Sequence, residues 1–326
     1  MMIAYLLRRI VYVIPILLGI NLLTFALFFM VNSPDDMARM QLGQKHIGSH
    51  EIVQWKIQHG YNLPLFYNEA TEGLNQFTQT LFFQKSFRLF VFDFGMSDAG
   101  RDIKQDIAKR MWPSLAIALP ALVLGVVLNI LLAIMMVFFS MSYLDLGGVI
   151  FCIVLMSISS MFYIIGGQFL FGKVLRLVPI SGYDSGFNCI KFILLPVLVE
   201  VVSGLGSGSR WYRTLFLEEM SKDYVKTARA KGLSEVGVLF HHVLKNAMLP
   251  ILTSIVVIIP SLFMGSLVLE SFFAVPGLGS YIIDAIQRQD FAIVRAMVFL
   301  GSVLYIVGLI ATDISYTLVD PRVRFK

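Results

Sequence analysis

Six long apolar stretches dominate the 326-residue chain: residues 10–31, 113–139, 147–171, 189–208, 248–273 and 292–318. A helix rises about 1.5 Å per residue, so ~20 apolar residues reach across about 30 Å of hydrocarbon. Each stretch is therefore a candidate membrane span, and the expected fold class is an all-α integral membrane protein with six transmembrane helices. Composition agrees, because 57% of residues are hydrophobic and only 14% charged, whereas a soluble domain carries about a quarter charged residues. The first stretch follows Arg8 and Arg9 as a signal peptide's would, but no A-x-A cleavage site comes after it. It is expected to be a retained span with its N-terminus inside.

Charge sets the expected topology. Residues 32–112 carry nine Lys and Arg against nine Asp and Glu, so this neutral segment is free to be translocated. A connection of that length should fold on itself, as short helices on the outer side. Within it, Ile103 and Ile107 lie four apart among charges, which suits an amphipathic helix over 99–111 lying at the interface. Residues 209–247, by contrast, hold Arg210, Arg213, Lys222, Lys226, Arg229, Lys231 and Lys245 against four acids. With Arg8 and Arg9 and the tail around Arg322, Arg324 and Lys326, three basic clusters place both termini and the 209–247 loop in the cytoplasm. The expected organisation is 1–31 as N-terminal end and first span, 32–112 as extracytoplasmic region, and 113–326 as transmembrane core.

The 209–247 loop contains Asp223-Tyr224-Val225-Lys226-Thr227-Ala228-Arg229-Ala230-Lys231-Gly232. Val225, Ala228 and Gly232 fall on one helical face, where small side chains admit a close neighbour while the lysines and arginine rim it. Gly232 is a natural helix stop and Ser234 a natural start. Pro250 suits the first turn of the fifth span. Such a helix fits a partner's groove. A plain solvated surface helix fits the same spacing.

The segment resembles the EAA loop of permease subunits of ABC importers, in the form "DYVxTARAKGL…NAxxP" of the dipeptide and oligopeptide branch. Four other segments are similar to that family in the same order: Asp93-Phe94-Gly95-Met96-Ser97 with Pro113-Ser114-Leu115, Val178-Pro179-Ile180-Ser181-Gly182, residues 270–290, and the ending around Asp313, Tyr316 and Asp320-Pro321-Arg322. The resemblance runs from Phe92 onward and includes the N-terminal "LLRRI". It implies a type I importer permease of the first type, paired with a second, homologous permease, two ATP-binding subunits and an extracytoplasmic binding protein in the bacterial inner membrane. It also implies that residues 223–232 couple to the ATPase, and that Glu270, Phe273, Pro276, Gly277, Leu278 and Gly279 belong to an outer loop that gates or meets the binding protein. ATP and magnesium would sit on the partner subunits. This chain would bind no cofactor and no nucleic acid, and would catalyse no reaction. Peptides are the expected cargo, with nickel chelates, glutathione and antimicrobial peptides as alternatives.

Residues 32–89 and Glu200 depart from the family pattern. An intramembrane carboxylate is a functional candidate, and Glu200 could instead pair with Lys191 or a partner helix. No G-x-x-x-x-G-K-[ST] loop is present; the nearest run, Gly95 to Gly100, is followed by Arg101-Asp102. His46 and His50 share helical spacing without completing a zinc set. Cys152 and Cys189 read as packing residues, and Gly125, Gly147, Gly148, Gly166 and Gly167 as sites of close helix packing. An intramembrane enzyme would need a paired polar constellation in the spans, and an ion-coupled transporter or channel typically shows internal repeats and ion sites; neither is visible.

Overall fold

The computed structural model describes residues 2–43, 48–184 and 186–319, and every regular element among them is helical. In chain order the α-helices, joined in places by short π or 3-10 turns, are α1 (Met2–Ala26), α2 (Pro34–Leu42), α3 (Ser49–His59), α4 (Asn75–Thr78), α5 (Ile103–Phe138), α6 (Tyr143–Ser157), α7 (Ser160–Gly167), α8 (Cys189–Met220), α9 (Asp223–Ala230), α10 (Glu235–Val238), α11 (Leu244–Leu262), α12 (Leu267–Phe272), α13 (Leu278–Gln287) and α14 (Phe291–Val319). Five of these stretches are long and apolar enough to cross a membrane: Val11–Val31, Ile103–Phe138, Gly186–Met220, Glu235–Leu262 and Phe291–Ser315. Tyr143–Ser157 and Ser160–Val174, which meet at 86°, pass the same test only as a pair and make a sixth candidate, a broken span or a re-entrant loop. The bend falls at Ile158, whose backbone is extended, and the Tyr163 hydroxyl bridges it by donating to the Leu155 carbonyl.

Several boundaries differ from expectation for local reasons. The second span begins at Ile103, so Pro113 lies inside it and 99–111 is no separate interfacial helix; Ile103 is fully buried. The fourth runs on to Met220, which shortens the polar connection after it. The fifth is entered through a π-helical turn (Leu239–Val243), leaving Pro250 within α11. It stops at Leu262, because Gly265 adopts φ +68° and turns the chain into α12. The ending Asp320-Pro321-Arg322 and its basic tail lie outside the described residues, as does His46.

The described residues form two compact units, 2–110 with 281–310, and 111–280 with 311–319. In the first, the expected short helices are present. Ser33 caps α2 in a reciprocal capping box with Asp36. Phe25, Phe29, Met37, Ile52, Trp55, Tyr61 and Leu81 then bury one another as its core. Arg295 is buried there too, its guanidinium 4.8 Å above the Phe29 ring and donating to the Phe291 and Lys85 carbonyls. The Lys85 ammonium, which donates to the His59 carbonyl, is pushed down to about 8 by burial and then by Arg295.

In the second unit, α6 packs along α8, with Arg213 clasping Asp145 through two bonds of 2.8 and 2.7 Å. Small residues set the approach. A Cβ on Gly206 would lie 2.6 Å from the Cys152 carbonyl oxygen, and one on Gly208 would meet the Asn129 amide at 2.5 Å. Of the glycines expected to pack closely, Gly148 and Gly167 do, whereas Gly125, Gly147 and Gly166 face open space. Gly206→Val should therefore cost about 1–3 kcal/mol through overpacking and visibly lower the unfolding temperature of the detergent-purified protein. Gly204→Val, with nothing within 4 Å, should leave that temperature almost unchanged.

Candidate functional site

Three features of the second unit gather the residues of functional interest. The first is a half-open cavity of about 660 Å³ lined by α5, α8, α11 and the start of α12. Its walls are chiefly apolar, including Ile117, Leu122, Ile255 and Ile258, with Trp211 also on its lining. Glu200 lines it from α8, and no lysine or arginine does. Among the described residues the Glu200 carboxylate has no hydrogen bond or ion pair, and the pairing with Lys191 considered from sequence is absent.

The second feature is a carboxylate clasp at the edge of that cavity. Glu270 is 1% exposed. Its Oε2 accepts from the Ser280 N–H at 3.0 Å and its Oε1 from the Ser266 N–H at 3.3 Å. The Ser114 hydroxyl also donates to it, while that same oxygen accepts from the Leu278 N–H at 2.8 Å. Burial pushes the Glu270 carboxyl above its ordinary range, and these donors pull the other way. Gly265 and Gly277 are required here, since a Cβ on either would overlap the carboxylate. Of the six outer-loop residues singled out from sequence, Glu270, Phe273, Gly277, Leu278 and Gly279 are buried and Pro276 alone is exposed. The five form a brace that folds the loop back on α5.

The third feature is α9. Eight residues are too few for a helix to stand alone in water, so its stability comes from contacts. Val225 and Ala228 are buried against Tyr212, Phe216, Val238, Leu239 and Val243. Glu219 receives hydrogen bonds from Lys222 and from the Tyr224 hydroxyl. Arg229 forks onto Glu235 with two bonds of 2.9 Å. Gly232, at φ +83°, ends the turn, and Ser234 caps α10 by accepting from the Gly237 N–H. Val225 and Ala228 thus point into the chain's own core. The face left outward carries Asp223, Lys226, Thr227, Arg229, Ala230 and Lys231, with Gly232 also exposed and Tyr224 half-buried.

Sequence reasoning missed the Asp145–Arg213 fork and the buried Arg295. A lone acid at the head of an apolar stretch, and a lone arginine inside the last one, were the signals available. His50 is exposed on the first turn of α3, and no group of three or more potential metal ligands comes together among the described residues.

Five membrane-length helices, or six with the bent pair, define a multi-pass membrane protein. The chain belongs to the family of binding-protein-dependent transport system inner membrane components, whose profile matches residues 129–325. Along its whole length it is similar to a Brucella melitensis protein named for a peptide transport system permease, at 32% identity over 331 residues, covering 100% of both chains. The oligopeptide transport system permease protein AppB of Bacillus subtilis is 30% identical, covering 99% of this chain and 100% of its own. The dipeptide transport system permease protein DppB of Escherichia coli is 28% identical, covering 100% of both.

Replacing Glu270 by Ala should strand the Ser266 and Ser280 N–H groups and cost about 3 kcal/mol, read as a lowered unfolding temperature in detergent. Glu270→Gln, which keeps one acceptor oxygen, should recover part of that loss.

Proposed function

We propose that this chain is the first-type permease subunit of an ATP-driven importer of peptides in the bacterial inner membrane. The observation that carries this reading is end-to-end similarity to peptide permeases, together with an α9 that is rigidly held and polar outward. The chain itself would be non-catalytic. Its spans would form half of the translocation pore beside a second, homologous permease. Two ATP-binding subunits would sit on the cytoplasmic side, and a binding protein would deliver cargo from outside. Both termini and α9 would face the cytoplasm, and residues 32–102 the outside.

Coupling would run through α9. Only contacts that differ between two states can drive a switch, so a coupling helix must move as a unit with the spans it serves. Val225 and Ala228 tie α9 into a core that contains Ala133 and Val137 of α5, Phe216 of α8 and Ile251 of α11. A pull on the outer face of α9 would thereby reach three membrane helices. The docking surface is then Asp223, Lys226, Thr227, Ala230 and Lys231, whereas Val225 and Ala228 transmit the motion inward.

Ala230→Glu tests this assignment in the complete complex with its binding protein. Peptide-stimulated ATP hydrolysis or co-purification of the ATP-binding subunits should fall about tenfold or more, with the unfolding temperature of the permease unchanged, as for an exposed substitution. Ala228→Glu should instead lower the unfolding temperature itself, because it forces a charge into a buried position. Normal coupling in Ala230→Glu would remove α9 from the docking surface.

A further inference from the structure

Resting on the importer reading, we propose that Glu200 makes the cavity between α5, α8 and α11 a cation-selective station that holds the ammonium group of a peptide in transit. Glu200, Gly204 and Trp211 stand at i, i+4 and i+11 on α8, which places them along one helical face, and all three line the cavity. A carboxylate at membrane depth is costly unless it meets water or a partner. Here it has no partner among the described residues, and it looks into a space with no lysine or arginine on its walls. The other carboxylate on that lining, Glu270, is already engaged by Ser114, Ser266 and Ser280.

A cleft walled by apolar side chains and carrying charge of one sign concentrates ions of the other. The chemistry selects which cation. One unengaged carboxylate among chiefly apolar walls is too poor in oxygens for calcium, which takes six to eight, or for magnesium's octahedron. An organic ammonium suits the site better. It needs only one charged acceptor with neutral hydroxyls for its remaining hydrogens, and Ser254 and Ser261 are on the same lining. An indole such as Trp211 adds a favourable face for a passing cation. Every unblocked peptide carries an ammonium at its amino terminus, and lysine adds another, so the station recognises what such cargoes share whatever their sequence.

The test uses the full importer, with Cys152→Ala and Cys189→Ser removing the native thiols and Gly204→Cys adding one on the cavity wall, where a side chain meets nothing within 4 Å. Its rates of modification by a trimethylammonium and a sulfonate methanethiosulfonate reagent are compared, with and without Glu200→Gln. With Glu200 in place the cationic reagent should react about tenfold faster than the anionic one, beyond the ratio for a free thiol. Glu200→Gln should bring the two to that free-thiol ratio. Trialanine should then protect the thiol at a several-fold lower concentration than N-acetyl-trialanine, and Glu200→Gln should erase the difference. A cation-to-anion ratio unmoved by Glu200→Gln overturns the proposal, as it would if a cation of the second permease neutralised the carboxylate. Equal protection by the two peptides, or none, overturns it too. Co-purification of the Gly204→Cys chain with the ATP-binding subunits reports separately on the importer reading.

Discussion

Hydrocarbon offers no partner for a backbone N–H or C=O, and that constraint shapes most of this chain. A spanning segment must satisfy its own polar groups, so it is a helix. Wherever the helix breaks, something else must supply the bonds. The bent α6–α7 pair shows one solution, since the Tyr163 hydroxyl takes up the Leu155 carbonyl where α6 ends. The turn after α11 shows another. There a single carboxylate, Glu270, accepts from two backbone N–H groups and a serine hydroxyl, and two glycines leave it the room.

The same constraint explains where polarity is spent. Charged side chains in the apolar stretches are few, and most are engaged. Asp145 and Arg213 join α6 to α8, and Arg295 lies over Phe29 while donating to two carbonyls. Glu200 stands apart from this pattern because it faces a cavity with no partner. Outside the spans, α9 gains its rigidity from a different source, two small apolar side chains sunk in a core and a bidentate Arg229–Glu235 pair.

Hydropathy made the spans legible, since a run of apolar residues longer than the bilayer is thick has few other uses. Periodicity also located α9, with Gly232 as its stop and Ser234 as the next start. What periodicity could not reveal is which side of α9 faces out: small residues suit contact with a partner and with the chain's own core equally well. The start of the fifth span was misread where proline was taken as a first-turn signal, because Pro250 sits inside a longer helix. The 86° bend in the third span left no proline or glycine to betray it; only Ile158 between serines marks the place. The Glu270 clasp was invisible in the same way. Its donors lie at Ser114, Ser266 and Ser280, and the Ser114 partner is remote in sequence.

The proposed function puts α9 on the cytoplasmic side of the membrane and the helices after the first span outside. Cysteine labelling in cells tests it most directly, with single thiols placed at exposed Val53 on α3 and exposed Thr227 on α9 in a chain lacking Cys152 and Cys189. A membrane-impermeant maleimide applied to spheroplasts should label the thiol at 53 at once, and the thiol at 227 only after the membrane is permeabilised. Labelling of position 227 in sealed spheroplasts, with position 53 protected, would contradict the account.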